Sequence, residues 1–212
     1  SNLHPAQGKT VPAPDKEAGY SWLKAPRYDG SSYEVGPLAR TLVAYAAGDA
    51  VIKKQVDDLL GILKASPQAL FSVLGRHATR ALEAHRLAGE MASWVMQLKP
   101  GEPACDWRQP PESGSGMGLM EAARGSLGHW CEIKDHKLSH YQLVVPTTWN
   151  ASPKDDQGQP GPIEEALIGT KLKDPNNPFE VVRIVRSFDP CLACSVHLLT
   201  PKRDEITRCR VL

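Results

Sequence analysis

The chain has 212 residues, which is enough for one ordinary domain or two small ones. Its 25 Lys and Arg residues and 24 Asp and Glu residues leave a net charge of +1, which argues against a broad nucleic-acid surface or an acidic tail. The hydrophobic content of 41% excludes a chain that is disordered throughout. No apolar run reaches about 18 residues, so we expect no membrane span.

The N-terminal segment, residues 1–32, is rich in proline, glycine, serine and lysine. This composition predicts an extended arm rather than a packed helix or strand, and such an arm lies on another surface or stays loose. Trp22, Leu23 and Tyr28 are the large apolar side chains of its second half, and we expect them to be the docking points.

Residues 33–100 follow a helical period, with apolar residues three and four positions apart. Gly48 and Asp49 separate a first helix from a second. A third helix is predicted from Pro67 to Leu98, with Ser66 as its N-cap. A helix of that length favours packing as a helical hairpin.

Residues 101–118 are rich in proline, glycine and serine and predict a flexible linker loop. The glycines at 114, 116 and 118 do not indicate a phosphate-binding loop, because no predicted strand precedes them and no Lys-Ser or Lys-Thr pair follows. A linker at this place separates the helical region from the remainder of the chain.

Residues 119–197 predict a β-hairpin, loops and a helix that lead to a C-terminal motif. The hairpin strands are expected at His129–Lys134 and Leu138–Val145, around the polar turn Asp135-His136. A short helix is predicted at Ile163–Ile168, and a final one begins after Asn177-Pro178. The expected fold class is therefore mainly α with a small antiparallel hairpin or sheet.

Three of the five cysteines lie close to the C-terminus, and two of them, Cys191 and Cys194, are three positions apart. Thiolates with this spacing directly after a helix can bind one soft or borderline metal ion such as Ni, Zn or Fe. A redox dithiol and ordinary buried thiols remain alternatives. A zinc site is another, and its four ligands would be Cys191, Cys194, His197 and Cys209.

The motif around these cysteines, Asp189–His197, resembles the C-terminal signature of the large subunit of nickel–iron hydrogenases. Four other segments resemble motifs of that family in the same order and spacing, and together they extend the likeness from about Tyr20 to Leu212. They are Tyr33–Arg40, Glu121–Trp130, Tyr141–Asn150 and Gly161–Gly169. The arginine-bearing segment departs from the usual family pattern at Ala123, where proline is more common.

The resemblance implies roles for individual residues. Cys191 would be a terminal thiolate on nickel, and Cys194 would bridge nickel and an iron that carries CO and cyanide. Arg124 would stand over the open bimetallic site as the catalytic cation. Splitting H2 heterolytically requires a Lewis-acidic metal together with a base that takes the proton. A guanidinium in a dry site stays charged and stabilises negative charge there. A structural ion pair is the alternative role for Arg124.

The resemblance also assigns residues around the centre. Pro146, Thr147 and Asp189 belong to the pocket of the CO and cyanide ligands, and Asp189 would pair with Arg124 or its neighbours. His197 and the backbone carbonyl of Leu143 would hold a magnesium ion.

Besides Ala123, two larger features depart from the family pattern. The family's N-terminal half carries an Arg-x-Cys-Gly-x-Cys motif that supplies two more thiolates, and this chain has no such motif. Cys105 and Cys131 are isolated and do not replace it. Residues 198–212 resemble the extension that a maturation endopeptidase removes after His197 once nickel is inserted.

Two classes of function follow. The first is part of an uptake-type hydrogenase of hydrogen metabolism, an oxidoreductase that oxidises H2 reversibly at a Ni–Fe centre. It would need a chain or segment with the missing cysteine pair, a small subunit that carries iron–sulfur clusters, and nickel-insertion proteins. The resemblance implies a membrane-associated or periplasmic location after export with the small subunit, with a cytoplasmic immature form. The second is an inactive immature or truncated fragment, or a zinc-binding interaction module.

Overall fold

The computed structural model describes residues 3–17 and 19–191, and the backbone of two further strands. The helices are α1 (Pro37–Ala46), α2 (Ala50–Leu63), α3 (Val73–Gln97), α4 (Pro146–Asn150), α5 (Pro162–Leu167) and α6 (Phe179–Ser187). The strands are β1 (Gly114–Ala122), β2 (Gly125–Lys134), β3 (Lys137–Val144), β4 (Ser195–Leu199) and β5 (Glu205–Arg210). The fold class predicted from the sequence, mainly α with a small antiparallel sheet, is confirmed. Among the described residues, no helix is both long and apolar enough to cross a membrane.

The helical region is held by one small apolar core. Its buried members come from α1, α2 and the single 3₁₀ turn that follows them, and they are Leu38, Val56, Leu60 and Leu70. Asp49 ends the interruption between the first two helices, because its carboxylate accepts the amide protons of Val51 and Ile52 at the start of α2. The expected break at Gly48 and Asp49 is therefore present, and an N-cap accompanies it.

The predicted third helix is wrong at its N-terminus. Pro67–Leu70 forms a separate 3₁₀ turn in which the side chain of Ser66 caps nothing, and α3 begins only at Val73. The hydroxyl of Ser72 caps α3 by accepting the amide proton of Gly75 at 3.1 Å. The reason is tertiary, because the bend at residues 71–72 turns Leu70 into the core, where it is 3% exposed.

The three-stranded sheet has the order β1-β2-β3 and is antiparallel throughout. The predicted β2–β3 hairpin is present, and Asp135 and His136 both have positive φ, as the tightest hairpin turns require. Strand β1 was missed. The linker expected over residues 101–118 is wrong from Gly114 onward, because this glycine-rich segment pairs with β2 along its full length. Its residues are exposed on both faces up to Glu121, so no apolar alternation marks it in the sequence.

The N-terminal arm lies on the sheet and on the loop after α4, but not through the expected apolar side chains. Trp22 and Tyr28 are 78% and 69% exposed. Arg27 docks the arm instead, because its guanidinium binds Asp155 at 2.8 Å and the carbonyl of Gln159 at 2.9 Å. The amide of Gln159, and after it the Arg27 guanidinium, lowers the pKa of the Asp155 carboxyl despite its partial burial.

Replacing either of two glycines of α3 by alanine should change the stability of the chain in opposite directions. A Cβ at Gly75 would lie 2.0 Å from the carbonyl oxygen of Leu70, whereas a Cβ at Gly89 meets nothing within 4 Å. We expect Gly75→Ala to destabilise the chain by at least about 3 kcal/mol, because backbone must move. Gly89→Ala is expected to stabilise it by about 0.5–1 kcal/mol through helix propensity. Urea unfolding followed by circular dichroism measures both, and equal effects would contradict the packing of the 3₁₀ turn on α3.

Candidate metal centre

Arg124 lies in the tight turn between β1 and β2, and its side chain reaches the end of α6. Its Nε donates to the carbonyl oxygen of Asp189 at 2.9 Å, and its Nη2 donates to Oδ1 of the same residue at 3.3 Å. Both side chains are 39% exposed. The pairing of Arg124 with Asp189 that the resemblance implied is thus present. Arg124 therefore binds both the backbone carbonyl and the carboxylate of Asp189.

Asp189 is a residue under conformational constraint. Its φ of 52° lies in the left-handed region, which aspartate tolerates better than most residues but still at some cost. It follows α6, and Pro190 prevents the helix from continuing. Arg80 of α3 supports the same turn, since its Nη2 donates to the carbonyl of Ser187 at 3.0 Å and its Nε lies 3.8 Å from Asp189 Oδ2. Two cations therefore flank the Asp189 carboxylate.

Cys191 follows this turn directly and is an exposed free thiol. Its amide donates to Oγ1 of Thr147 in α4 at 3.3 Å, and the neighbouring Pro146 is buried. Thr147 accepts this bond with its oxygen, so its own hydroxyl proton is directed elsewhere. The structure thus brings together four of the predicted site residues, namely Arg124, Asp189, Thr147 and Cys191. Pro146 lies beside Thr147.

The turn that carries Arg124 packs on the segment before α1. A Cβ at Gly125, whose φ is +132°, would lie 2.6 Å from the side chain of Val35 and 2.7 Å from the amide of Gly36. Only glycine permits this approach. Asn150, at the end of α4, clamps the same segment, because its side chain accepts from the Val35 amide and donates to the Val35 carbonyl, both at 2.9 Å.

Asn150 is a site-supporting residue that the sequence analysis did not single out for a role. Its side chain mimics a neighbouring β-strand, satisfying one amide and one carbonyl of another segment while the residue is only 3% exposed. The signal in the sequence was weak, since an asparagine after Pro-Thr-Thr-Trp also suits an ordinary helix end.

Other predicted residues lie apart from this group or outside the described residues. The carbonyl of Leu143 accepts from Nζ of Lys24 at 3.3 Å, and the same ammonium binds Oε1 of Gln142 at 2.6 Å. Desolvation lowers the pKa of Lys24 there. Cys194 lies outside the described residues, as do the side chains of His197 and Cys209, so the expected zinc set is not tested.

By element type the described donors suit the implied groups, but the Lys24 ammonium already binds the oxygens of Leu143 and Gln142. A thiol at Cys191 is a soft ligand of the kind that nickel accepts, whereas the oxygens of Leu143 and Gln142 are hard donors suited to magnesium. An ion entering beside Leu143 would meet the Lys24 ammonium. Among the described side chains, no group of three or more His, Cys, Asp or Glu residues gathers around one point. The described part of the chain therefore supplies a partial ligand set.

Removing the Asn150 clamp tests how the site is supported. We expect Asn150→Ala to destabilise the chain by about 1–3 kcal/mol, because it leaves the half-buried Val35 amide and carbonyl without their partners. Asn176→Ala, at an exposed asparagine, is the matched control and is expected to change stability by less than about 0.5 kcal/mol. Urea unfolding measures both, and equal values for the two variants would contradict the clamp.

Comparison with known proteins identifies the family. The sequence profile of the nickel-dependent hydrogenases matches residues 1–197. The chain is 43% identical over 207 residues to the uptake hydrogenase large subunit of Bradyrhizobium diazoefficiens, covering 93% of this chain and 35% of that subunit. It is 44% identical to the periplasmic [NiFeSe] hydrogenase large subunit of Desulfomicrobium baculatum, covering 96% of this chain and 40% of that one.

A solved structure agrees with the sequence relatives. The reduced Ni-Fe-Se hydrogenase of Desulfovibrio vulgaris Hildenborough superposes with a TM-score of 0.77 at 44% identity, over 89% of this chain and 40% of that chain. This chain thus spans well under half the length of the relatives it matches. The arginine-bearing turn, the Asp189 turn and the family match together show that the chain belongs to the nickel-dependent hydrogenase family and corresponds to part of its large subunit.

Proposed function

We propose that this chain forms the C-terminal part of a hydrogenase large subunit and takes part in the reversible oxidation of H2 to protons and electrons at a Ni–Fe centre. The observation that carries the proposal is the pair of hydrogen bonds from Arg124 to Asp189, which lies two residues before Cys191. Arg124 presents a fixed guanidinium from the β1–β2 turn, Cys191 presents a free thiol directly after the Asp189 turn, and the family match covers both.

Under this proposal, three groups share the chemical work: the metal centre, the Arg124 guanidinium and the Cys191 sulfur. The nickel–iron centre, when bound through Cys191 and Cys194, supplies the Lewis acidity that polarises H2. Among the described contacts, Arg124 is anchored through Nε and Nη2, so Nη1 is the nitrogen that would face the bound centre under this proposal. There the permanent positive charge of the guanidinium stabilises developing negative charge, and Asp189 limits the cost of burying it. A deprotonated Cys191 sulfur can accept the proton.

The same proposal assigns the neighbouring residues. Pro146, Thr147 and Asp189 line the pocket of the CO and cyanide ligands, where the Thr147 hydroxyl has a proton to donate. Leu143, through its carbonyl, and His197 hold magnesium. Cleavage after His197 removes residues 198–212, and one observation supports it: the family match ends at residue 197.

A complete centre needs ligands from elsewhere. The chain lacks the second cysteine pair and spans 35–40% of the length of its relatives, so we propose that another chain or segment supplies the remaining thiolates. Electrons then pass to an iron–sulfur small subunit, and maturation proteins insert the nickel. The isolated chain is inactive under this proposal. Its location is periplasmic or membrane-associated, as the names of its uptake and periplasmic relatives suggest, with a cytoplasmic immature form.

We propose that the docking surface for that other part lies on α3. The helix has 25 residues and is about 37 Å long, but only its N-terminal half packs on α1 and α6. From residue 87 onward every position is exposed. One stripe of this half is apolar, and it consists of Leu87, Met91, Trp94, Val95 and Leu98. A long helix that shows such a stripe to water needs a partner, and the absent majority of the large-subunit fold is the occupant that we propose.

Replacing Cys191 tests the proposed centre. In the assembled hydrogenase that contains this chain, we expect Cys191→Ser to lose most of its nickel and its hydrogen uptake, because a serine hydroxyl does not ionise to give a soft ligand. Nickel and iron analysis, together with the infrared bands of CO and cyanide, measures the loss. Cys105→Ser, at an exposed cysteine outside the site, is the control and should retain both metals. Zinc alone in the unaltered assembly, lost on Cys209→Ser, would instead support the zinc-binding module.

Charge on the α3 stripe tests the docking surface. We expect the double variant Met91→Glu with Trp94→Glu to bind the polypeptide that carries the Arg-x-Cys-Gly-x-Cys motif at least about tenfold more weakly, because burying the carboxylates is costly. Met96→Glu, on the opposite face of the same helix, should bind normally. Titration calorimetry measures both affinities. Unchanged binding by the double variant, or self-association of the unaltered chain that the stripe variant abolishes, would contradict the proposed occupant.

A further inference from the structure

We infer that Arg40, held by Glu83, is a positioning residue that sets the place of Arg124, an inference that rests on the role proposed for Arg124. Arg40 lies in α1, and its guanidinium contacts the turn between β1 and β2. Its Nη1 donates to the carbonyl of Ala122 at 2.9 Å, and its Nη2 donates to the carbonyl of Ala123 at 3.1 Å. These are the two residues directly before Arg124.

Every N–H group of the Arg40 guanidinium is used. Besides the two carbonyls, Nη1 binds Oε2 of Glu121 at 2.8 Å, while Nε and Nη2 bind the two carboxylate oxygens of Glu83 at 2.9 and 2.7 Å. Five donors therefore meet five acceptors. A planar fork with all donors engaged cannot rotate without losing several charge-assisted bonds, so it holds the turn in one place.

The support for this arrangement comes from α3. Glu83 orients Arg40, and Arg80, three positions earlier and so on the same face of the helix, holds the Ser187 carbonyl and lies 3.8 Å from the Asp189 carboxylate. One rigid helix therefore carries both supports, one for the turn of Arg124 and one for the turn that precedes Cys191. The distance between guanidinium and thiol is set by α3, through Glu83 and Arg80, and not by the two turns alone.

Salt-bridge networks also stabilise folds without serving a site, and the chain contains such a network for comparison. Arg27 in the arm binds Asp155 and the carbonyls of Pro153 and Gln159, and it is as well paired as Arg40 but lies outside the turn. Arg27→Ala is the matched control, because it removes a comparable set of bonds at a place where no positioning of Arg124 is expected.

Hydrogen–deuterium exchange of the full chain tests the structural half of the inference without any metal. We expect Arg40→Ala to raise exchange at the amides of residues 122–126 at least about tenfold, because the turn opens more often, and Arg27→Ala to leave them unchanged. Arg40→Lys keeps the charge and the aliphatic stem but loses the planar set of donors. It covers the case in which the alanine variant does not fold, and it should raise the exchange rate of the same amides by a smaller factor. Unchanged exchange in the turn overturns the inference, whatever the chain catalyses.

A double-mutant cycle in the assembled hydrogenase tests the functional half. We expect Arg40→Ala to lower hydrogen uptake about 10- to 100-fold when Arg124 is present, since small misplacements of a catalytic group are costly, and less than about twofold in an Arg124→Lys background. The infrared bands of the CO and cyanide ligands should shift with Arg40→Ala and not with Arg27→Ala. Equal effects in both backgrounds overturn the inference. An unaltered assembly without nickel or uptake overturns the proposed function alone, since the exchange experiment stands without it.

Discussion

The left-handed turn at Asp189 is the constraint on which the site depends. A residue with a φ of 52° at the end of a helix keeps its conformation only if its surroundings hold it. Arg124 does so through the backbone oxygen and the carboxylate, and Arg80 adds a second cation. The same bonds fix the direction of the chain after α6, so that Pro190 and Cys191 run toward Thr147. The backbone conformation of Asp189, its ion pairs and the position of the Cys191 thiol therefore depend on one another.

Helix α3 organises the molecule in two different ways along its length. Its N-terminal half is a polar frame, in which Arg76 pairs with Glu34 and stacks on Phe188, while Arg80 and Glu83 serve the two turns of the site. Its C-terminal half shows an apolar stripe to solvent. The frame ties the turn of Arg124 and the turn of Asp189 to one helix. The stripe is the apolar surface that we propose the rest of the large subunit covers.

The errors of the sequence analysis have one physical origin. Strand β1 carries no apolar alternation and is formed by backbone pairing with β2, which leaves no mark on side-chain pattern. The arm was expected to dock through Trp22 and Tyr28, yet it docks through the Arg27 guanidinium, whose acceptors lie more than a hundred residues away. The start of α3 was misplaced because burial of Leu70 outweighed the Ser-Pro signal at residue 66. In each case a contact with another segment of the chain decided the local structure.

The sequence by itself determined the fold class, the break between the first helices and, through the resemblance of its motifs, the family, and it proposed Arg124, Asp189, Thr147 and Cys191 as site residues. It could do so because these depend on residue types at short spacings. Only the tertiary structure decided that Asn150 clamps Val35, that Gly125 must be glycine and that Arg40 and Glu83 support the turn of Arg124. These features depend on which segments meet in space. Contacts between residues 40 to 120 positions apart leave no periodic or motif signal in a single sequence.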